Sequence, residues 1–432
     1  MQNTKVCLIN PPMDFNKSLG RAKSIAKYTA MAPMGLAYIA SYLLSRGVEV
    51  DIIDAYAEQL DIGQIVQRVG NTTIVGITCV TPTYPTVQKI AKCLKDKTVV
   101  VGGPHPTVCE IDKGMIRVKG SGEKPMCELL GIKYTDEQPF PAYQKLPLHL
   151  YKAPPHWAIR EPVFYMFLTR GCPFHCTFCA AENLGKKRQL RSIDNIMAEI
   201  STLFYEYGAK QIMFQDTCFP LERKFAIEFC EEMIKTGFNK KIVWTTSTRV
   251  DVVDYELLTK MYKSGCRIIN YGLESGNQAI LDKCNKGFTL ERAVKTLELT
   301  RRAKIMAFGS FILGLPGDTL KTCLETISYA KKLPLSYAQF YLCVPYPGSK
   351  IYEDWENKSI NWESYTTMGS FTDNVVYVPE GMTAEQLKSL QSKAYKEFYF
   401  RPKIILEQLT HIRNIKDIFR YIDVGKALLG VL

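Results

Sequence analysis

Histidine is scarce in this chain, with five residues in 432 against fourteen cysteines. That imbalance nearly excludes a metal centre built on imidazole and leaves thiolates as the ligands in supply. No run of eighteen apolar residues occurs, so no segment is expected to span a membrane. The opening Met-Gln-Asn-Thr-Lys lacks the apolar stretch of an export signal, so a cytoplasmic protein with reduced thiols is expected rather than a disulfide framework. Internal repeats and low-complexity tracts are absent too. Lysine and arginine are scattered rather than blocked, although the formal net charge is +12. Such a surface would attract nucleic acid, an acidic protein substrate or an acidic electron donor without selecting among them. The remaining composition, 46% hydrophobic and 23% charged, is that of a globular protein whose length suggests two or three domains.

Three of the cysteines stand in Arg170-Gly171-Cys172-Pro173-Phe174-His175-Cys176-Thr177-Phe178-Cys179, a C-x3-C-x2-C spacing with no fourth cysteine nearby. A zinc ribbon needs a second C-x2-C pair, which the chain lacks. Thiolates also hold iron–sulfur clusters, and a cubane has four irons to coordinate. Cys172, Cys176 and Cys179 would leave one iron open, as catalytic metal sites do and closed structural ones do not. An open cluster would need low oxygen.

Short apolar runs alternate with helical patterns in the first third. Lys5–Asn10, Val48–Asp54, Ile74–Thr78 and Val99–Val101 read as buried parallel strands, with helices over Gly35–Arg46 and Pro85–Lys95. This is the doubly wound α/β pattern, whose ligands lie beyond the carboxyl ends of the strands. The segments there are small or glycine-rich: Asn10-Pro11-Pro12, Thr78 to Pro82, Gly102-Gly103-Pro104-His105-Pro106 and Gly120-Ser121-Gly122-Glu123. Four such loops on one edge point to a large cofactor lying across it. Six prolines between Pro139 and Pro162 predict an extended connector. Six further strands follow, from Val163–Leu168 to Ala338–Cys343, separated by helices such as Ile193–Tyr207 and Leu290–Ala303. They predict a partial parallel barrel with its chemistry at the carboxyl-end loops, the first of which holds the cysteines. A capping box at Thr383 to Gln386 opens a helix in the last segment. The expected division is a Rossmann-like domain over 1–135, a linker over 136–160, a six-unit (β/α) barrel over 161–360 and a helical segment over 361–432.

With these parts assembled, the sequence resembles the radical S-adenosylmethionine enzymes that carry a cobalamin-binding domain. The resemblance runs over about residues 1–360. It rests on the cysteine motif and on segments that match successive barrel strands: Met213 to Thr217, Trp244 to Arg249, Asn270 to Gly276, Gly309 to Gly317 and Val344 to Gly348. In the first domain, Val101 to Thr107 and Gly120 to Glu123 resemble the corrinoid loops. The resemblance implies a 4Fe-4S cluster on the three cysteines, whose open iron adenosylmethionine chelates. Phe178 would pack the adenine, Glu274 would accept the ribose hydroxyls, and Gln215, Asp216, Ser247 and Arg249 would hold the methionine moiety. Arg249 is nearly as well read as a barrel ion pair. Thr78, Thr81, Gly102, Gly103, His105, Gly120, Gly122 and Glu123 would line the cobalamin site. The D-x-H-x-x-G signature that supplies a lower cobalt ligand is missing from Asn10 to Asn16, so cobalamin is expected base-off, with His105 a contact to its nucleotide loop or a turn histidine.

The activity implied is methylation of an unactivated carbon through a 5′-deoxyadenosyl radical and methylcobalamin. Relatives with the same two domains include cyclases and ring-rearranging enzymes, in which cobalamin serves another purpose. A methylthiotransferase would need a second cluster, for which Cys7, Cys79 and Cys109 are the available thiols, but Cys7 and Cys79 read better as buried strand residues. A non-enzymatic cobalamin protein would not need the intact trio. The substrate stays open among a peptide or protein side chain, a tetrapyrrole and a lipid, with Tyr271, Tyr341 and Tyr346 as cavity candidates. The basic balance would suit an acidic flavodoxin or ferredoxin as electron donor, and nucleic acid is not expected as a partner.

Overall fold

In Lys5–Asn10 (β1) the residues Val6, Cys7, Leu8 and Ile9 follow without a break, and a strand apolar on both faces must be covered on both. The structure, a computed structural model, describes residues 5–13, 24, 28–135, 139–154, 157–181, 189–356, 358, 360–365, 374–410, 412 and 415–431. The expected corrinoid-edge loop lies outside these beyond Met13. β1 pairs in parallel with Glu49–Asp54 (β2) and Ile74–Thr78 (β3), and Thr98–Gly102 (β4) and Ile116–Arg117 (β5) complete a sheet of order β2-β1-β3-β4-β5. Val6 and Leu8 join a core that includes Met34–Leu44 (α1) and Glu123–Leu129 (α4), while Cys7 and Ile9 join one shared with Ile62–Val69 (α2) and Tyr84–Cys93 (α3).

The second sheet is parallel throughout and keeps chain order: Val163–Met166 (β6), Gln211–Phe214 (β7), Val243–Thr248 (β8), Cys266–Glu274 (β9), Met306–Leu313 (β10) and Tyr337–Leu342 (β11). Five helices follow these strands in turn: Ile193–Tyr205 (α5), Arg223–Lys235 (α6), Tyr255–Lys263 (α7), Leu290–Arg302 (α8) and Leu320–Lys332 (α9). β6 stops two residues before the end of its apolar run. The amides of Leu168 and Thr169 turn to the Asp216 carboxylate, and the chain leaves as a two-stranded ribbon, Thr169–Arg170 against Gln189–Leu190.

A sheet of six strands that does not close has two edges to satisfy. The expected connector covers one of them and packs against it. Its described residues form only two short 3-10 turns, Tyr143–Lys145 and Leu148–Leu150, but Tyr143, Leu146 and Tyr151 are buried in the main core, and the Tyr143 hydroxyl donates to the β6 carbonyl of Tyr165 at 3.0 Å. At the other edge Ala384–Tyr399 (α10), opened by the expected capping box, lies along β11. Gln391 and Tyr399 donate to the carbonyls of Phe340 and Ala338 at 2.7 and 2.8 Å. Pro402–Thr410 (α11) and Ile415–Val431 (α12) end the chain.

Glu199 on α5 is fully buried, 2.5 Å from the Arg191 guanidinium and 2.6 Å from the Tyr143 hydroxyl, which ties the connector to the barrel. Glu199→Ala leaves a buried guanidinium uncompensated and is expected to destabilise the chain by about 3 kcal/mol. Urea unfolding followed by circular dichroism would measure it, and Glu199→Gln, which keeps a partner for Tyr143, should lose less.

Candidate active site

The cysteine loop follows β6 and is gripped at several points. Thr177 donates its amide to the Cys284 carbonyl and accepts from the Ile351 amide, both at 3.0 Å, and Asn285 donates to the His175 carbonyl at 3.0 Å. Cys172, Cys176 and Cys179 are free and half-buried. Asp216 braces the base of the loop. One carboxylate oxygen accepts from the Thr169 amide and hydroxyl, both at 2.6 Å, and the other from the Leu168 amide at 2.9 Å. Burial pushes its pKa up to about 6 against the pull of these donors. Arg249 lies 3.7 Å over the Phe174 ring, forms a two-pronged pair with Asp251 at 2.9 and 2.7 Å, and stands 3.6 Å from the Cys176 sulfur. Among the described residues no three His, Cys, Asp or Glu converge on a single ion. A cubane asks for something else, one thiolate on each of three irons, and three unpaired cysteines on one braced loop fit it.

Alternation along the strands sorts the barrel interior into tiers. Ile268 and Phe308 close the floor with Tyr337, and Trp157 of the connector packs 4.8 Å from Phe308 as a plug. Above them lie Ser247, Asn270, Ser310 and Gln339, with Ser310 donating to Asn270 at 3.1 Å and Tyr341 donating to Gln339. At the top, Glu274 follows a register shift and takes a positive φ of 61°, uncommon for a residue other than glycine and a mark of functional sites. Lys286 meets it at 2.7 Å, with both side chains buried. A Cβ on Gly272 would stand 2.4 Å from the Glu274 carboxylate, so only glycine leaves room for this pair. Burial works to lower the Lys286 pKa, but the facing carboxylate outweighs it and the net shift is upward.

Lys286, Asn270, Ser310 and Gln339 were not among the expected site residues. Strand parity could have placed the last three; nothing local to Asn285-Lys286-Gly287 shows that this loop turns back onto Glu274. Tyr271 needs correction as a cavity residue. It points outward and bonds Thr300 on α8 at 2.8 Å, because an odd step along β9 puts it on the helix-covered face. Tyr341 does face the interior. Tyr346 lies beyond β11, its ring 6.2 Å from Tyr365. Gln215 is half-buried just past β7, and Phe178 packs against the small cluster of Ile280, Cys284 and Leu315.

At the carboxyl edge of the first sheet His105 is wholly buried, its Nδ1 3.2 Å from the Thr81 hydroxyl. Its ring stacks on Tyr84 at 4.3 Å and meets Trp362 edge-on at 4.9 Å. Its Nε2 is buried without a hydrogen-bond partner among the described residues, which fits a site that a polar ligand group completes. Gly103, at φ 112°, allows the chain to pass where a Cβ would stand 2.8 Å from the Cys79 carbonyl, beside Thr78. Gly102 lies against Val118, a Cβ on Gly122 would strike Ile39 at 2.6 Å, and Gly120 opens onto free space. Glu123 does not point at this edge alone: its carboxylate pairs with Arg170 at 3.2 Å, two residues before Cys172. Cys7 and Cys79 are buried in the strand core, and burial pushes both thiols up to about 12.

A doubly wound domain whose loops face the cysteine end of a six-stranded barrel defines a two-cofactor enzyme. The Radical SAM superfamily model matches residues 166–330 and the B12 binding domain residues 27–130. The uncharacterized methyltransferase PH0819 of Pyrococcus horikoshii is 33% identical, over 100% of this chain and 99% of its own length. An anaerobic magnesium-protoporphyrin IX monomethyl ester cyclase of Rubrivivax gelatinosus is 26% identical over 85% of this chain and 73% of that protein. Among solved structures, the radical S-adenosylmethionine methyltransferase TsrM of Kitasatospora setae, with cobalamin and a 4Fe-4S cluster bound, superposes with a TM-score of 0.72 at 16% identity, over 99% of both chains. The chain belongs to the cobalamin-binding radical S-adenosylmethionine enzymes, and cobalamin and the cluster are the cofactors of that architecture.

His105 also carries a pH prediction. Burial, helped by the Arg117 charge, lowers its pKa from 6.5 to about 4. The unfolded chain therefore binds the proton first, and stability present above pH 6.5 is lost as the pH falls toward 4, by roughly 3 kcal/mol. Thermal denaturation from pH 7 to 4.5 should show this slope, and His105→Phe should flatten it.

Proposed function

We propose that this chain is a cobalamin-dependent radical S-adenosylmethionine methyltransferase acting on an unactivated carbon. The contact between Glu123 and Arg170 carries the reading, because it joins the first helix past the corrinoid-edge loops to the strand end that presents the cysteines. A full-length relative described as a methyltransferase supports it. When bound, the cluster supplies the electron that cleaves adenosylmethionine, and cobalamin supplies the methyl carrier.

The chain's own residues orient and exclude. Cys172, Cys176 and Cys179 hold three irons, with Arg249 and Asp216 as positioning residues for their loop. Phe178 takes the adenine face. Glu274 accepts the ribose hydroxyls, and Lys286, paired with its carboxylate at 2.7 Å, aims it. Gln215 and Ser247 are left for the methionine end, since the fork of Arg249 is already filled by Asp251. The floor sealed by Trp157 keeps water from the reacting carbon, and Tyr341 with Gln339 and Asn270 forms the polar wall a substrate meets. His105, whose buried Nε2 has no partner among the described residues, would contact the nucleotide loop of cobalamin. The net charge of +12 suits an acidic flavodoxin or ferredoxin in the cytoplasm.

A second reading, a cyclase that uses the same cofactors, is favoured by the likeness to the protoporphyrin ester cyclase. Anaerobic incubation of the reconstituted protein with methyl-labelled adenosylmethionine and candidate tetrapyrrole, lipid or peptide substrates separates the two. Methylation requires S-adenosylhomocysteine, 5′-deoxyadenosine and a labelled product; 5′-deoxyadenosine without transferred label favours the cyclase. In the same preparation Glu274→Gln is expected to weaken adenosylmethionine binding by about 10- to 100-fold, the worth of a charged hydrogen bond. Calorimetric titration would measure it. Cys176→Ala should lower the iron content and bleach the visible absorption of the cluster while cobalamin binding persists.

A further inference from the structure

The last two helices wear most of their described apolar residues on the outside. On α11, Leu406 and Leu409 are 64% and 57% exposed, with Ile405 beside them, while only Ile404 is buried. On α12, Ile415, Phe419 and Ile422 recur at helical spacing and are 70%, 64% and 46% exposed. Several polar residues of the same helices face inward. Glu407 accepts from the Ser336 hydroxyl at 2.5 Å, Gln408 donates to the Ser336 carbonyl at 3.2 Å, and the Tyr421 hydroxyl meets that of Tyr337 at 3.2 Å. Arg420 pairs with Glu161, and Asp423 accepts from Tyr28 at 2.9 Å. Ser336, Tyr337 and Glu161 all stand at the amino-terminal ends of barrel strands. Both helices are therefore pinned to the floor of the barrel, opposite the cysteine loop, with their apolar stripes turned away from the protein.

Exposed apolar stripes of this extent on adjacent helices mark an interaction surface. Charge selects the occupant. The acidic side chains Glu407, Asp417 and Asp423 are held against the protein or buried, whereas Lys403 and Lys426 remain exposed on a chain of net charge +12. Apolar side chains flanked by cations, with acids withdrawn, are the pattern of a helix lying in an anionic bilayer surface. No described helix is long and apolar enough to cross a membrane. We propose that α11 and α12 seat the protein on an anionic lipid surface, floor down, so that the cysteine end faces away from the bilayer.

Flotation of the full-length, cluster-reconstituted chain with vesicles of phosphatidylglycerol and phosphatidylcholine tests this. The chain is expected to rise with the vesicles at low salt, and to rise far less at high salt or with phosphatidylcholine alone. Leu406→Glu/Phe419→Glu should weaken binding by about tenfold or more through lost insertion and added repulsion. Its melting temperature should stay unchanged, because both side chains are exposed. Lys403→Glu/Lys426→Glu should weaken binding to the anionic vesicles only. Wild-type protein that stays at the bottom of the gradient with anionic vesicles overturns the proposal. So does light scattering that reports a dimer which the Leu406/Phe419 variant converts to monomer, since a second copy then covers the face.

Discussion

Arg170 is the contact on which the two-domain arrangement turns. Its guanidinium pairs with Glu123 of the first domain and lies 4.8 Å over the Tyr38 ring of α1. It belongs to the ribbon that leaves β6, two residues before the first cysteine, so one side chain ties the sheet edge of one domain to the cluster loop of the other. A partly buried arginine suits this because its plane can stack and its fork can pair at once. Just behind it, Tyr38 also packs on Phe167, Arg191 donates to the Phe167 carbonyl, and Glu199 neutralises Arg191. The seam is thus charged, with its ions paired to one another, the condition under which buried ions hold a geometry rather than weaken it.

From that seam outward, the barrel is arranged by parity. Residues of one parity on β9 and β11 meet helices, as Tyr271 and Phe340 do. Those of the other parity build an apolar floor, a polar wall and, at the top, the Glu274–Lys286 pair. The pair is compact because Gly272 yields its side-chain volume and Glu274 accepts a left-handed backbone. Strain of this kind persists where surrounding structure over-determines it, and here pairing with Phe311 of β10 and the ion pair to Lys286 do so.

Much of the fold was legible. Strands apolar on both faces can be covered only by helices on both sides, so the parallel sheets followed from runs such as Val6 to Ile9 and Ile74 to Thr78. How the connector packs was not legible, because proline content reports missing backbone donors, not whether Tyr143 and Tyr151 find a core. β6 is shorter than its apolar run because Asp216, nearly fifty residues on, takes the amides of Leu168 and Thr169, which no apolar run can show.

The cysteine spacing by itself put three soft thiolate ligands on one loop and left a fourth position open, since ligand number and softness belong to residue identity. Tertiary structure decided what surrounds that opening. Lys286 reaches Glu274, Arg249 is spent on Asp251, Tyr271 turns away and Tyr341 turns in. The physical reason is range: a ligand motif acts over eight residues of one loop, whereas burial, pairing and facing are settled only when distant segments close on one another.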